Sequence, residues 1–119
     1  MTTQQVAIRL VELCRKGEFE TAQTELFAEN AISIEPYATP EFDKETKGLP
    51  AIKKKGDKFQ SMVEQMHGLT VSDPIVASNS FACTMRMDIT MKGKDRMDMT
   101  ELCVYQLKDG KIISEEFFM

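Results

Sequence analysis

The hydrophobic pattern of the chain changes at Gly68. Before this residue, apolar side chains recur every three or four positions, as Val6, Leu10 and Leu13 do, which is the period of an amphipathic helix. After it, apolar and polar residues alternate, most regularly from Phe81 to Met91, which is the period of a half-buried strand. Helices followed by consecutive strands predict an α+β domain, with helices layered on one face of a mainly antiparallel sheet.

The N-terminal half contains three predicted helices. The first spans residues 3–16 and ends at Gly17, and the second is a short helix with Phe19 on its buried face. The third begins at Leu49-Pro50, because proline is well suited to the first turn of a helix, and is predicted to end at His67-Gly68. Its predicted buried face consists of Ile52, Phe59, Met62, Val63 and Met66.

Between the second and third helices, residues 31–35 alternate as a brief strand that ends at Pro36. Residues 36–48 contain two prolines and little periodicity, and this predicts a long surface loop. Loops of this length in compact domains are commonly lids over a site or mobile segments.

The remaining predicted strands are residues 69–78, 81–91, 96–107 and 111–118. Both faces of the last hairpin are largely apolar, although helices can cover only one face of a sheet. An apolar outer face on a sheet usually meets another subunit. We therefore expect a homodimer formed through the outer face of the sheet.

Length and composition limit the classes of function. The 119 residues form one predicted domain, 1–119, and a net charge of −4 argues against nucleic acid or an anionic membrane as partner. The three cysteines are widely spaced and odd in number, so neither a disulfide framework nor a zinc site is expected. One histidine and scattered carboxylates give no metal-ligand spacing, and no cofactor motif is present. Without a long apolar run or a signal peptide, the expected location is the cytoplasm.

Several short motifs, in this order, resemble the nuclear transport factor 2-like superfamily. They are residues 27–31 leading to Glu35-Pro36, the helix start at 48–52, the hairpin at 108–112 and the ending at 115–118. Together they cover nearly the whole chain and are most similar to the SnoaL-like (polyketide-cyclase-like) and ketosteroid-isomerase-like branches. The resemblance implies a cystatin-like cone, in which a curved sheet wraps around three helices and leaves a cavity between them.

The resemblance also implies roles for individual residues. In the isomerase-like branch the general base is a carboxylate just before a proline, and Glu35 before Pro36 matches that position. The positions that match the oxyanion-stabilising tyrosine and carboxylic acid are Leu10 and Cys103. Neither is a strong hydrogen-bond donor, so the oxyanion hole of that branch is expected to be missing.

The register of the last hairpin decides which side chains face the expected cavity. A three-residue turn at 108–110 pairs Leu107 with Lys111 and places one set on a common face, namely Glu101, Cys103, Tyr105, Glu115 and Phe117. A two-residue turn at Asp109-Gly110 places Glu116 and Phe118 there instead, because a slip of one residue flips every side chain. We prefer the first register, since it agrees with the pocket positions that the resemblance implies.

The sequence therefore predicts a protein that binds a small apolar or amphipathic molecule. The expected wall contains Phe59, Met62, Cys103, Tyr105 and Phe117, with Glu35, Glu101 and Glu115 as polar contacts and Asp88 or Arg86 added from the neighbouring strand. The alternative interpretation of Glu101 and Glu115 is that they form ion pairs at the rim of the cavity or at an interface. One alternative function is an isomerase, cyclase or hydrolase that uses Glu35 as general base. Another is a non-catalytic, dimeric interaction module.

Overall fold

The computed structural model describes residues 1–119 as three helices and seven strands. In chain order these are α1 (Thr3–Arg15), α2 (Phe19–Leu26), β1 (Phe27–Ile34), β2 (Glu45–Lys47), α3 (Leu49–Met62), β3 (Val63–Val71), β4 (Ile75–Ala77), β5 (Ser80–Met91), β6 (Arg96–Lys108) and β7 (Lys111–Phe118).

The strands form one sheet in the order β2-β1-β7-β6-β5-β3, with β4 paired to β5. All the pairs are antiparallel except β1 with β7, which run parallel. Register shifts interrupt three of the pairs, and such bulges bend strands and increase their twist. The predicted α+β cone, with a curved and mainly antiparallel sheet around three helices, is confirmed.

Helix α1 supplies much of the core. A capping box between Thr2 and Gln5 satisfies its first backbone N–H groups, and Gly17 follows its end at a φ of 73°. Its buried face packs with the concave face of β5 and β6. There Phe81 stacks on Tyr105 with ring centroids 4.7 Å apart.

The predicted end of α3 is wrong. The helix stops at Met62, and the next nine residues form β3, which pairs with β5 from Val63 opposite Met91 to Val71 opposite Met85. Over so few residues, the apolar spacing of Val63 and Met66 fits a helix turn and a bulged strand equally well. Backbone hydrogen bonds along the edge of β5 decide the outcome, and no local signal reports them.

Strand β1 begins at Phe27, directly after α2, and not at Ala31 as predicted. An irregularity in its pairing with β7, between Phe27 and Ile32, breaks the alternation that would have revealed the early start. The predicted loop 36–48 also contains β2, whose three residues pair with the end of β1. The rest of that segment has no regular secondary structure, as expected.

The turn of the last hairpin differs from the preferred prediction. Asp109 and Gly110 both have positive φ, 52° and 78°, as a two-residue hairpin turn requires, and Leu107 pairs with Ile112 instead of Lys111. A register shift next to the turn then brings Tyr105 opposite Glu115. This bulge offsets the shorter turn, so Glu115 shares a face with Tyr105 although the predicted turn was wrong.

The outer face of the sheet has a polar and an apolar part. On β5 and β6 the bidentate ion pairs Arg86–Asp98 and Arg96–Asp88 lie across neighbouring strands. At the other end, Leu102 and Phe118 are direct partners and are 42% and 47% exposed. Of the three helices, none is both long and apolar enough to cross a lipid bilayer.

Candidate functional site

A cavity of about 590 Å³ lies between α3, the α1–α2 corner and the concave face of β5, β6 and β7. Half of its lining residues are apolar, and apolar atoms contribute most of its lining surface. The aromatic and methionine part of the wall consists of Phe19, Phe27, Tyr37, Phe42, Phe59, Met85, Met87, Met99, Tyr105, Phe117 and Met119. This volume is within the range of small-molecule sites, which are also mostly apolar with a few polar groups.

A chain of hydrogen bonds joins two glutamates on one side of the cavity. Lys55, on α3, donates to Glu35 Oε1 at 3.1 Å and to Ser33 Oγ at 2.5 Å. Ser33 in turn donates to Glu115 Oε1 at 2.8 Å. Side chains of Ser33 and Glu35 share a direction because strand side chains alternate, and the parallel pairing of β1 with β7 sets Ser33 beside Glu115.

Burial dominates the electrostatics of Glu115. Removal from water raises its pKa, while the hydrogen bond from Ser33 and the charge of Lys55 oppose that shift. The charge of Glu35 adds to the rise. The carboxyl group is thus held in place by Ser33 whichever protonation state it adopts, and no fully enclosed side-chain polar atom in the chain lacks a partner.

Glu101 is in a different environment. It lies directly opposite Met85 on the concave face, and burial together with the charges of Glu35 and Glu115 raises its pKa to about 7. Lys55 opposes the shift only weakly, and no hydrogen bond to Glu101 contributes to it. Glu101 is therefore a carboxyl group that gains and loses its proton near neutral pH.

Tyr105 is also without a protein partner. The residue is 3% exposed and lines the cavity, and its hydroxyl group forms none of the side-chain hydrogen bonds of the protein. The hydroxyl oxygen is not fully enclosed by protein atoms, so it retains contact with the cavity space. A buried tyrosine hydroxyl usually has a hydrogen-bond partner, so this one is free to meet a bound molecule.

Residues 35–44 cover one side of the cavity. Pro36, Tyr37, Thr39 and Phe42 are part of the lining. Lys58 of α3 holds this segment, since its ammonium donates to the carbonyl oxygen of Glu41 and lies 5.0 Å from the centre of the Phe42 ring. The predicted loop is therefore a wall of the cavity, attached to α3.

Six of the predicted site residues line the cavity: Glu35, Phe59, Glu101, Tyr105, Glu115 and Phe117. Three others, Met62, Cys103 and Asp88, do not. Met62 is the last residue of α3 and does not reach the cavity. Cys103 is on the concave face but fully buried opposite Cys83, beneath the helices.

Asp88 was wrongly expected at the cavity. It is opposite Asp98 on the outer face of the sheet and pairs with Arg96 at 2.8 Å. Arg86, also expected there, pairs with Asp98 on the same outer face. Successive side chains of a strand point to opposite faces, so Arg86 and Asp88 lie on the face opposite to Met85 and Met87. This alternation is visible in the sequence and contradicts the expected position of both residues.

The sequence analysis missed two residues of the hydrogen-bond chain beside the cavity, Ser33 and Lys55. Ser33 lies two residues before Glu35, so strand alternation alone places it on the same face. Lys55 belongs to the run Lys53-Lys54-Lys55, which is typical of a solvated helix surface, yet it lies three residues after the buried Ile52. That spacing was the available signal, since residues three apart share a helix face.

No group of three or more histidine, cysteine, aspartate or glutamate side chains converges as a metal site. Leu10 lines the cavity and Cys103 does not, so the two positions that match the isomerase-like oxyanion hole supply no strong donor. His67, the one histidine, lies in β3 with its ring 2.7 Å from Thr90 Oγ1.

The fold has relatives among solved structures. A protein from Mesorhizobium loti, provisionally named a SnoaL-like polyketide cyclase and carbohydrate phosphatase, is 29% identical over the whole of both chains, with a TM-score of 0.93. TerC, co-crystallised with polyporic acid, is 12% identical, with a TM-score of 0.79, over 98% of this chain and 90% of its own.

A third structure, from Catenulispora acidiphila, has a ketosteroid isomerase-like fold and was determined in complex with trimethylamine. It is 13% identical over 96% of this chain and 84% of its own, with a TM-score of 0.73. No protein of curated function matches the sequence. The model of the SnoaL-like domain matches residues 1–119, and the chain therefore belongs to the SnoaL-like domain family.

Proposed function

We propose that this protein binds a small, mostly apolar molecule in its central cavity. The observation that carries the proposal is a space of about 590 Å³ whose apolar wall is interrupted by a few convergent polar groups. The SnoaL-like fold is that of small-molecule-binding or isomerase- and cyclase-type proteins. The proposal places binding in the cytoplasm, and three free cysteine thiols support that location.

A thermal-shift screen of small apolar and amphipathic molecules tests the proposal. A ligand at 100 times its Kd adds about 2.7 kcal/mol to the stability of the folded state, which raises the Tm of a domain of this size by roughly 8 °C. The variant Met99→Trp fills the cavity with a larger side chain and is expected to abolish the shift. Met97→Trp, on the same strand but outside the cavity, is the matched control.

A screen without hits, or hits that survive Met99→Trp unchanged, would count against a ligand in this cavity.

Structures of the same fold were determined with polyporic acid in one case and trimethylamine in another. The fold thus does not select one ligand charge, and the side chains of each cavity must do so.

The alternative is an enzyme of isomerase, cyclase or hydrolase type with Glu35 as general base. The support for it is that Glu35 borders the cavity, as that role requires. Against it, Lys55 already occupies one oxygen of Glu35 at 3.1 Å. Mass spectrometry of ligands recovered from the screen separates the two functions, because only an enzyme alters the bound molecule.

We also propose that two copies associate through the apolar part of the outer face. Leu102 and Phe118 form an exposed pair there. Val104 of β6 and Ile34 of β1 lie on the same face, on either side of Glu116. Sedimentation is expected to show a dimer in the wild type and a monomer in Leu102→Lys/Phe118→Lys, because lysines directly opposite each other cannot be buried in a shared interface. A wild-type monomer would disprove this interface and the interaction-module alternative with it.

A further inference from the structure

The charges that line the cavity are strongly unequal. The acidic residues are Glu18, Glu20, Glu35, Asp57, Glu101 and Glu115, and the basic residues are Lys53 and Lys55. Lys55 is 15% exposed and is already committed to Glu35 and Ser33. Lys55 is the one cation that acts on Glu101, so the surroundings of Glu101 have no unpaired cation to receive an anionic ligand.

Two largely buried polar groups on the sheet wall of the cavity are free to contact a ligand, the carboxyl group of Glu101 and the hydroxyl group of Tyr105. Both offer oxygen lone pairs that accept hydrogen bonds. A partly shielded carboxylate gains most from a ligand that is both a donor and a cation, because charge-assisted hydrogen bonds are the strong ones.

The surroundings of Glu101 are apolar. Met85 is its direct partner across the strands, and Met87 and Met99 form the next pair along the same wall. Phe59 and Phe117 complete the lining on the α3 and β7 sides. Methionine walls adapt to apolar groups of varied shape, and aromatic faces attract cations as well as apolar groups.

We propose that the ligand is a small amine whose protonated nitrogen pairs with Glu101 while its apolar body packs on the methionine and phenylalanine wall. This inference rests on the proposed binding function and names the chemical class of its ligand. Carboxylate ligands are excluded from the same position, because they would meet Glu101, Glu35 and Glu115 without an available counter-charge.

The pairing predicts how affinity depends on pH. The groups that face Glu101 are Glu35 just after β1, Lys55 from α3, Glu115 from β7, and the thiols of Cys83 on β5 and Cys103 on its own strand. An amine needs Glu101 ionised, and with a pKa of about 7 the ionised fraction rises about tenfold from pH 6 to pH 8. Alkylammonium groups stay charged over that range.

The experiment compares three probes of similar shape: 2-phenylethylamine, 2-phenylethanol and phenylacetate. Calorimetric titrations at pH 6 and pH 8 are expected to show tighter binding of the amine than of the other two, with a gain of about tenfold for the amine at the higher pH. Glu101→Gln should remove both the preference and the gain, while the alcohol binds as in the wild type. Glu64→Gln, at an exposed position of β3, should change nothing.

Equal binding of the amine and the alcohol at pH 8, tighter binding of phenylacetate, or an amine affinity that ignores Glu101→Gln would each overturn the inference while leaving the binding function intact. Failure of all three probes at both pH values, on protein whose fold is verified by circular dichroism, would overturn the proposed cavity function and this inference together. The two failures are thus distinguishable.

Discussion

Phe81→Ala is expected to lower the free energy of unfolding by about 4 kcal/mol, because it removes a large side chain from the centre of the core. Phe81 is 2% exposed and stacks on Tyr105 at 4.7 Å between ring centroids. The loss includes the transfer free energy of the ring and the cavity left behind, since neighbouring strands cannot collapse into the space. A typical domain has a free energy of unfolding of about 5–15 kcal/mol, so this loss would remove a large part of its stability.

Urea denaturation followed by circular dichroism measures this change at equilibrium. Phe81→Leu keeps most of the volume and should cost only about 1 kcal/mol, so it remains measurable if the alanine variant does not fold. Ile75→Ala is the control, because Ile75 is 78% exposed and its change should stay within about 0.5 kcal/mol. A loss below 1 kcal/mol for Phe81→Ala would contradict the described packing.

Glu101→Gln is expected to stabilise the protein at pH 8 by about 2–3 kcal/mol and to have little effect at pH 4. In the folded state the pKa of Glu101 is raised from 4.5 to about 7, so folding favours the protonated form. Below pH 4.5 the carboxyl group is protonated in both the folded and the unfolded state, and it does not lower the free energy of unfolding. As the pH rises towards 7, the unfolded state loses its proton first and the free energy of unfolding decreases. Glutamine resembles the protonated acid in shape and cannot ionise, so the variant avoids that loss.

Denaturation of wild type and variant at pH 4, 6 and 8 gives the required comparison. The two stability curves should diverge between pH 4.5 and pH 7 and then run parallel. Glu64→Gln on the exposed side of β3 serves as the matched control and should follow the wild type at every pH. If Glu101→Gln were less stable than the wild type at pH 8, the carboxylate would have to be a stabilising ion-pair partner.

The two substitutions separate two roles of the concave sheet face, namely core packing and the lining of the cavity. Phe81 is part of the packed core of the fold, whereas the raised pKa of Glu101 predicts that its charged form lowers the stability at neutral pH. A residue that costs stability inside a cavity is a typical feature of functional sites, where strain and unpaired charge are retained for binding or catalysis. The gain from Glu101→Gln should therefore accompany the loss of amine preference described above.

The sequence by itself determined the layout of the domain and one face of the site. Period-3.6 and period-2 patterns are local properties, so they identified α1, α2, β5 and the final hairpin, and the resemblance supplied the cone. The position of Glu35 before Pro36 also placed it correctly at the cavity.

Tertiary structure decided the boundary of α3 and the register of the hairpin. Val63 and Met66 belong to β3 because the backbone of this segment pairs with the edge of β5. The residues of β5 that form this edge lie about 25 positions further along the chain. The bulge that brings Glu115 opposite Tyr105 is likewise set by neighbouring strands.

The network of Lys55, Ser33 and Glu115 joins α3, β1 and β7, and 82 residues separate Ser33 from Glu115. Spacing within one element reveals a face but not which faces meet, because that depends on how the whole chain packs. The raised pKa of Glu101 has the same origin, since it arises from burial and from charges on other elements. Folding thus turns separate side chains into a site.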